Sequence, residues 1–129
     1  MRNAQGFDPP GMRFGGMSQA VRCGDWILVS GQVALKDGKV VGVGDPATQA
    51  RQCFENIAAS LAEAGADLSD VVSLRCYLTK SEAYAGYAAA KKAALGDGGP
   101  ASTTVIVAGL LMSDLLMEVE AMAWKPKRG

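Results

Sequence analysis

The chain has 129 residues, 49% of them apolar, with thirteen basic and thirteen acidic side chains. That is the size and balance of one compact domain, able to remove roughly two-thirds of its unfolded surface from water without help from metals or disulfides. Charge neutrality removes the electrostatic drive behind non-specific nucleic-acid affinity. The complete absence of histidine excludes a Ser-His-Asp triad, a Cys-His dyad, a His metal site and His-based ribonuclease chemistry from the chain's own residues.

Taken in chain order, residues 1–16 are punctuated by Asp8-Pro9-Pro10-Gly11 and Gly15-Gly16, the signature of a loop or arm, and a single domain is expected over 17–129. Gln19 to Cys23 and Trp26 to Val33 read as strands joined at Gly24-Asp25, and a turn at Lys36-Asp37-Gly38-Lys39 leads into Val40 to Val43. Asp45-Pro46 marks a helix start, with the aspartate as cap and proline where its missing N–H costs nothing. Ala50, Cys53, Phe54, Ile57, Ala58 and Leu61 then form one apolar stripe, with Arg51, Gln52, Glu55 and Ser60 off it, and Gly65 stops the helix. Val71 to Thr79 is a strand. Ser81 is expected to cap a second helix ending at Leu95 before Gly96, with Lys91-Lys92 on its solvated face. Strands at Ser102 to Ala108 and Leu115 to Trp124 close the chain.

The resulting order, ββ(β)αβαββ, predicts an α+β fold with two helices on one face of a mixed sheet. Strand alternation leaves the other face partly apolar: Val71, Ser73, Arg75 and Tyr77 are expected to point away from the helices, as are Leu116, Met122 and Trp124. A half-apolar bare face calls for a partner, and a symmetric self-assembly through that face is expected. The three cysteines, Cys23, Cys53 and Cys76, form no C-x-x-C pair and are odd in number, and two of them lie in strongly apolar surroundings, as expected of buried structural thiols in a reducing cytosol. No apolar run reaches the roughly eighteen residues of a membrane span, and no secretory pattern opens the chain, so a cytoplasmic protein is expected. The basic tail Lys125-Pro126-Lys127-Arg128 is too short to create a nucleic-acid site.

Several separated segments together resemble the RidA (YjgF, L-PSP endoribonuclease-like) family. They are Ser18-Gln19-Ala20-Val21 with Gly24, Val29-Ser30-Gly31-Gln32, Gln49 to Gln52 with Glu55-Asn56, Ala64-Gly65-Ala66 with Asp70-Val71-Val72, Tyr77-Leu78-Thr79, Pro100-Ala101-Ser102-Thr103, and Glu118-Val119-Glu120-Ala121. The resemblance implies a chorismate-mutase-like fold, a homotrimer around a central barrel and small-molecule clefts at subunit boundaries. It implies no cofactor and no metal. It further implies hydrolysis of reactive enamines and imines, with Glu118 serving the catalytic water and Ser30 and Gly31 in the cleft.

At three positions the chain departs from what the resemblance implies: Ser102 stands where an arginine would grip the substrate carboxylate, Ala88 where an asparagine is usual, and Met17 where a tyrosine is usual. A guanidinium offers two parallel charge-assisted bonds of about 1.5–3 kcal/mol each, a serine hydroxyl one neutral bond, so weaker carboxylate binding is expected. Candidate ligand residues are therefore Ser30, Gly31, Ser102, Thr104, Met17, Ala88 and Arg75, with Glu118 catalytic. Arg75 is read first as the structural ion-pair partner of Glu118 or Glu120 and second as a substitute carboxylate anchor. Ser102, Thr103 and Thr104 are read first as strand and turn chemistry. Met112, Met117 and Met122 are read as core filler. Two functions compete, a C=N hydrolase and a small-molecule-binding trimer without turnover, with endoribonuclease and translation-inhibitor activity the weakest on charge and on the missing histidine.

Overall fold

The computed structural model describes residues 1–127; Arg128, the last residue of the basic tail, and Gly129 lie outside the described residues. A six-stranded sheet is built from β1 (Gln5–Phe7), β2 (Ala20–Cys23), β3 (Trp26–Gln32), β6 (Val71–Leu78), β7 (Ala101–Ile106) and β8 (Met117–Trp124), in the order β1-β2-β3-β8-β6-β7. β6 and β7 are parallel and every other pair is antiparallel. β4 (Leu35–Lys36) and β5 (Lys39–Val40) form a separate hairpin rather than a third strand of the sheet. Its two-residue turn puts Asp37 at φ 53° and Gly38 at φ 77°, the positive-φ pair that an Asp-Gly turn provides.

Helices α1 (Pro46–Glu63) and α2 (Tyr84–Leu95) cover one face. Asp45 caps α1 by accepting from the Thr48 N–H, and this bond together with the Thr48 hydroxyl holds its carboxyl below the usual range. Beneath the helices lie Ile27 and Val29 of β3, Leu74, Cys76 and Leu78 of β6, and Met117, Val119, Ala121 and Ala123 of β8, packed against Phe54, Ile57, Leu61 and Tyr87. Each large apolar side chain so buried contributes about 1.5–3 kcal/mol. At Gly86 the two helices come so close that a Cβ would sit 2.7 Å from the Ala47 amide nitrogen.

Four expectations are revised. The first sixteen residues are not all loop, since Gln5–Phe7 pairs with Arg22–Ala20; three residues are too few to show periodicity. Val71 is buried and Val72 exposed, because the β6–β8 register shifts between Val71 and Ser73 and reverses the alternation there; Arg75 and Tyr77 keep the outward side. Ser81 makes no cap bond: it begins a 3-10 turn, Ser81–Ala83, that leads into α2. Finally, Gln52 and Ser60 are buried, with Gln49 and Asn56 beside them, so α1 has a second buried stripe that is polar.

The face opposite the helices is bare. Trp26, Leu28, Met122, Trp124, Val72 and Val105 stand 37–46% exposed on it, around Arg75, Tyr77, Glu118 and Glu120.

Candidate functional site

The site begins at an irregularity in β3. Val29 faces Ala121 and Gln32 faces Val119, so Ser30 and Gly31 together lie opposite the single residue Glu120, a β-bulge. The bulge is fixed on its far side by β2's approach: the Ser30 N–H donates to the Gln19 carbonyl (2.9 Å) and the Ser30 hydroxyl to the Ser18 carbonyl (2.6 Å). Gly31 is thereby pressed against Glu118 of β8. A Cβ at position 31 would lie 2.9 Å from Glu118 Cγ and 2.8 Å from Cδ, so only glycine admits that side chain.

Two carboxylates share this strand face, and their partners differ. Glu120 accepts a hydrogen bond from the Tyr77 hydroxyl, an interaction that raises the phenol's pKa. Glu118 takes no hydrogen bond and no ion pair from a described residue. Burial, and then repulsion from Glu120, raise its carboxyl above the ordinary range, which brings it nearer to exchanging a proton at neutral pH.

Glu118 and Gly31 open into a cleft of 370 Å³ whose other walls are mainly apolar, among them Met12, Phe14, Met17, Leu35, Leu111 and Met112. Its frame hangs on side-chain amides. Gln49 donates to the carbonyls of Gly42 (3.1 Å) and Asp114 (2.9 Å) and accepts from the Leu116 N–H (2.9 Å). Asn56 donates to the carbonyls of Val33 and Leu35, both at 3.0 Å. On the floor, Gln32 donates to the Gln19 side-chain oxygen (2.7 Å), and Gln19 donates to the Met12 carbonyl (2.7 Å). Every one of these amides is buried. No cluster of three His, Cys, Asp or Glu able to hold a metal ion occurs among the described residues.

Residues 12–125 match the family described as Endoribonuclease L-PSP. The chain belongs to the RidA/YjgF/L-PSP family. It is 38% identical over 113 residues to a RutC family protein of Pyrococcus abyssi, covering 86% of this chain and 87% of that one. It is 36% identical to the mitochondrial protein mmf2 of Schizosaccharomyces pombe, over 84% and 87% of the two chains. Among solved structures, a Mycobacterium tuberculosis member of the YjgF/YER057c/UK114 family superposes with a TM-score of 0.80 at 31% identity, covering 94% and 98%. The YjgF gene product of E. coli superposes with a TM-score of 0.82 at 29% identity, covering 93% and 98%. Membership supports a general role in small-molecule or endoribonuclease-like activity, and the α+β fold is the family's. No helix among the described residues is long and apolar enough to cross a membrane.

Within this family fold, the structure brings some of the expected site residues together and separates others. Met17, Gly31 and Glu118 line one cleft, and Ser30 lies directly behind it with its hydroxyl turned to Ser18. Ser102 and Thr104 lie on the edge strand β7 and Ala88 on α2, outside that cleft in the same protomer. Arg75 lines a separate shallow hollow with Leu28, Ser73, Glu120 and Met122. It stands opposite Glu120 in the β6–β8 register, yet no ion pair joins it to Glu118 or Glu120, and the Glu120 carboxylate accepts from the Tyr77 hydroxyl.

Of the three methionines read as filler, only Met117 is core: Met112 lines the cleft and Met122 lies on the bare face. Lys92 is exposed as expected, whereas Lys91 is partly buried. It lies over the Tyr87 ring, 5.5 Å from its centroid, one helical turn along α2. Sequence reasoning also assigned no role to the amides Gln19, Gln32, Gln49 and Asn56, although each lies in a segment that carries the resemblance.

Proposed function

We propose that this protein is a homotrimeric hydrolase of reactive imines and enamines, with Glu118 as the general acid and base. The observation that carries the reading is a carboxylate without a protein partner, its pKa raised by burial, held by Gly31 at the end of an apolar cleft. Water attacks the imine carbon as Glu118 takes one of its protons, forming a carbinolamine. The protonated Glu118 delivers that proton to the nitrogen, then takes the carbinolamine's hydroxyl proton and passes it to the amine as the C=O bond forms and the C–N bond breaks, so ammonia leaves and one imine and one water become one carbonyl compound and one ammonia. The apolar walls exclude bulk water and favour the neutral carbon skeleton of a small metabolite. No cofactor and no metal enters these steps.

Trimer formation is supported by the bare sheet face, whose exposed tryptophans, Leu28 and Met122 exceed what isolated surface residues account for. It is also supported by the division of the candidate residues into two groups, Glu118 with Gly31 and Met17, and Ser102 with Thr104 and Ala88, which a neighbouring copy would bring face to face. A cytoplasmic or organellar-matrix setting fits the free thiols; burial pushes the Cys76 thiol up to about 12 and the Cys53 thiol higher still, leaving both inert.

The test is hydrolysis of freshly generated 2-iminopropanoate, followed as ammonia release, by wild-type protein and by Glu118→Gln. Acceleration that the variant loses supports the reading. Equal rates in the two proteins, or none above buffer in the wild type, would leave a ligand-binding trimer as the better account.

A further inference from the structure

The cleft that ends at Glu118 is larger and more apolar than the smallest imine requires. Its volume of 370 Å³ falls within the roughly 300–1,000 Å³ of sites that enclose drug-sized ligands, and the methyl substituent of 2-iminopropanoate would leave most of it to water. At its mouth Phe14 and Met17 come from the segment before β2, and Leu111 and Met112 from the loop between β7 and β8. All four are exposed, Leu111 completely, so folding of the protomer gains little from them. They do not stand on loose backbone. Gln19 holds the first segment through the Met12 carbonyl, Gln49 holds the second through Asp114 and Leu116, and the Leu115 N–H donates to the Met112 carbonyl at 3.2 Å. An apolar cluster that is exposed, fixed in place and shared by two segments marks a binding surface.

The polar groups of the cleft narrow the choice of occupant. Both N–H bonds of the Gln32 amide are spent, on the Gln19 side-chain oxygen and on the Ser30 carbonyl (3.0 Å), and both of Asn56 on the carbonyls of Val33 and Leu35. No described lysine or arginine lines the cleft, and its ionisable side chains are two acids, Glu118 and Asp37. Away from Glu118 the walls therefore offer an incoming molecule apolar contact and few donors. A polar or anionic substituent would lose its water there without replacement, whereas a hydrocarbon gains about fourfold in affinity for each methylene buried. We propose that the cleft is a side-chain pocket that selects imines carrying a bulky apolar substituent, of isobutyl to benzyl size, with Phe14, Leu111 and Met112 as its specificity-determining residues. Naming the occupant an imine rests on the hydrolytic reading above; the bulk and apolarity of its substituent rest on the walls alone. Met112, unbranched and flexible, adapts to branched and planar shapes alike.

The experiment compares ammonia release from freshly generated 2-iminopropanoate, 4-methyl-2-iminopentanoate and 2-imino-3-phenylpropanoate, which share one head and differ in substituent. kcat/KM is expected to rise by about tenfold or more from the methyl to the isobutyl and benzyl compounds. In a variant carrying both Leu111→Ser and Met112→Ser, positions exposed enough to spare the fold, that ratio should fall to within about threefold of unity. Val43→Ser, at an exposed apolar position outside the cleft, should keep the wild-type ratio. Calorimetric titration with the products 2-oxopropanoate and 4-methyl-2-oxopentanoate should show the same preference without turnover. Hydrolysis of 2-iminopropanoate with no gain for the larger compounds, the result if an adjoining copy fills the cleft, overturns the pocket and keeps the hydrolase. A gain that the double variant retains also overturns the pocket. Tighter binding of the larger oxo acid, lost in the double variant, with no imine hydrolysed, keeps the pocket and removes the hydrolase.

Discussion

Gly31→Ala isolates the contact on which the proposed chemistry turns. Its backbone φ is not in the left-handed region, so alanine introduces no conformational strain of its own, and the effect of the new methyl is steric. The methyl carbon would arrive 2.9 Å from Glu118 Cγ and 2.8 Å from Cδ. Carbon atoms pack at roughly 3.5–4.0 Å, so the glutamate must move outward by about 0.7 Å. A displacement near 1 Å at a reacting group costs on the order of a hundredfold in rate, whereas overpacking of this kind costs about 1–3 kcal/mol of stability. The expected result is a loss of roughly a hundredfold in kcat for 2-iminopropanoate, with a modest fall in melting temperature. Introducing the same change into Glu118→Gln should produce little further loss, because both act through one group. A Gly31→Ala protein that turns over within about twofold of the wild type, or additive losses in the double variant, would show that Gly31 does not work by seating Glu118.

Glu118→Gln should also raise the melting temperature at neutral pH. Because the folded-state pKa is raised, the folded state holds the proton more tightly than the unfolded one, and stability falls as pH rises from the ordinary carboxylate range through the higher folded value. The variant removes that dependence, so melting curves of the two proteins should converge below about pH 4 and separate above it. Gln49→Leu strips partners from Gly42, Asp114 and Leu116 at once and should cost about 3 kcal/mol, read as a fall of roughly 10 °C in thermal unfolding. Met122→Glu places a charge among Trp26, Leu28 and Trp124 and should convert the proposed trimer into monomer at micromolar concentration, and an unchanged sedimentation coefficient would remove that face from the interface.

The fold was legible where periodicity is long and one-sided. The apolar stripe of α1, the alternation of β8 and the Asp45-Pro46 start all appear in the structure as expected, because burial of one face dictates them. Glu118 and Gly31 were legible as residues, through resemblance, but their contact was not: it depends on a bulge that adds one residue to β3, and a glycine inside a strand signals such an irregularity without saying which side chain it admits. The buried amides of α1 failed for a different reason. A glutamine facing water and one facing the carbonyls of a distant loop have the same sequence periodicity, and only tertiary packing distinguishes Gln49 or Asn56 from Arg51. The contact of Lys91 with Tyr87 was not legible for the same reason, since a lysine four residues after an aromatic can lie along it as easily as leave it.

Gln49 and Asn56, seven residues apart on α1, each carry a different wall of the cavity, one through Asp114 and Leu116 and the other through Val33 and Leu35. The walls are thus suspended from the helix, whereas the carboxylate proposed to react is mounted on the sheet. Side chains such as Leu111 and Met112 can be exchanged without disturbing either the suspension or the carboxylate, because the helix grips only main-chain atoms there. Selectivity for what enters and competence to react with it are mechanically decoupled, which gives one scaffold the means to change its clientele while keeping its chemistry.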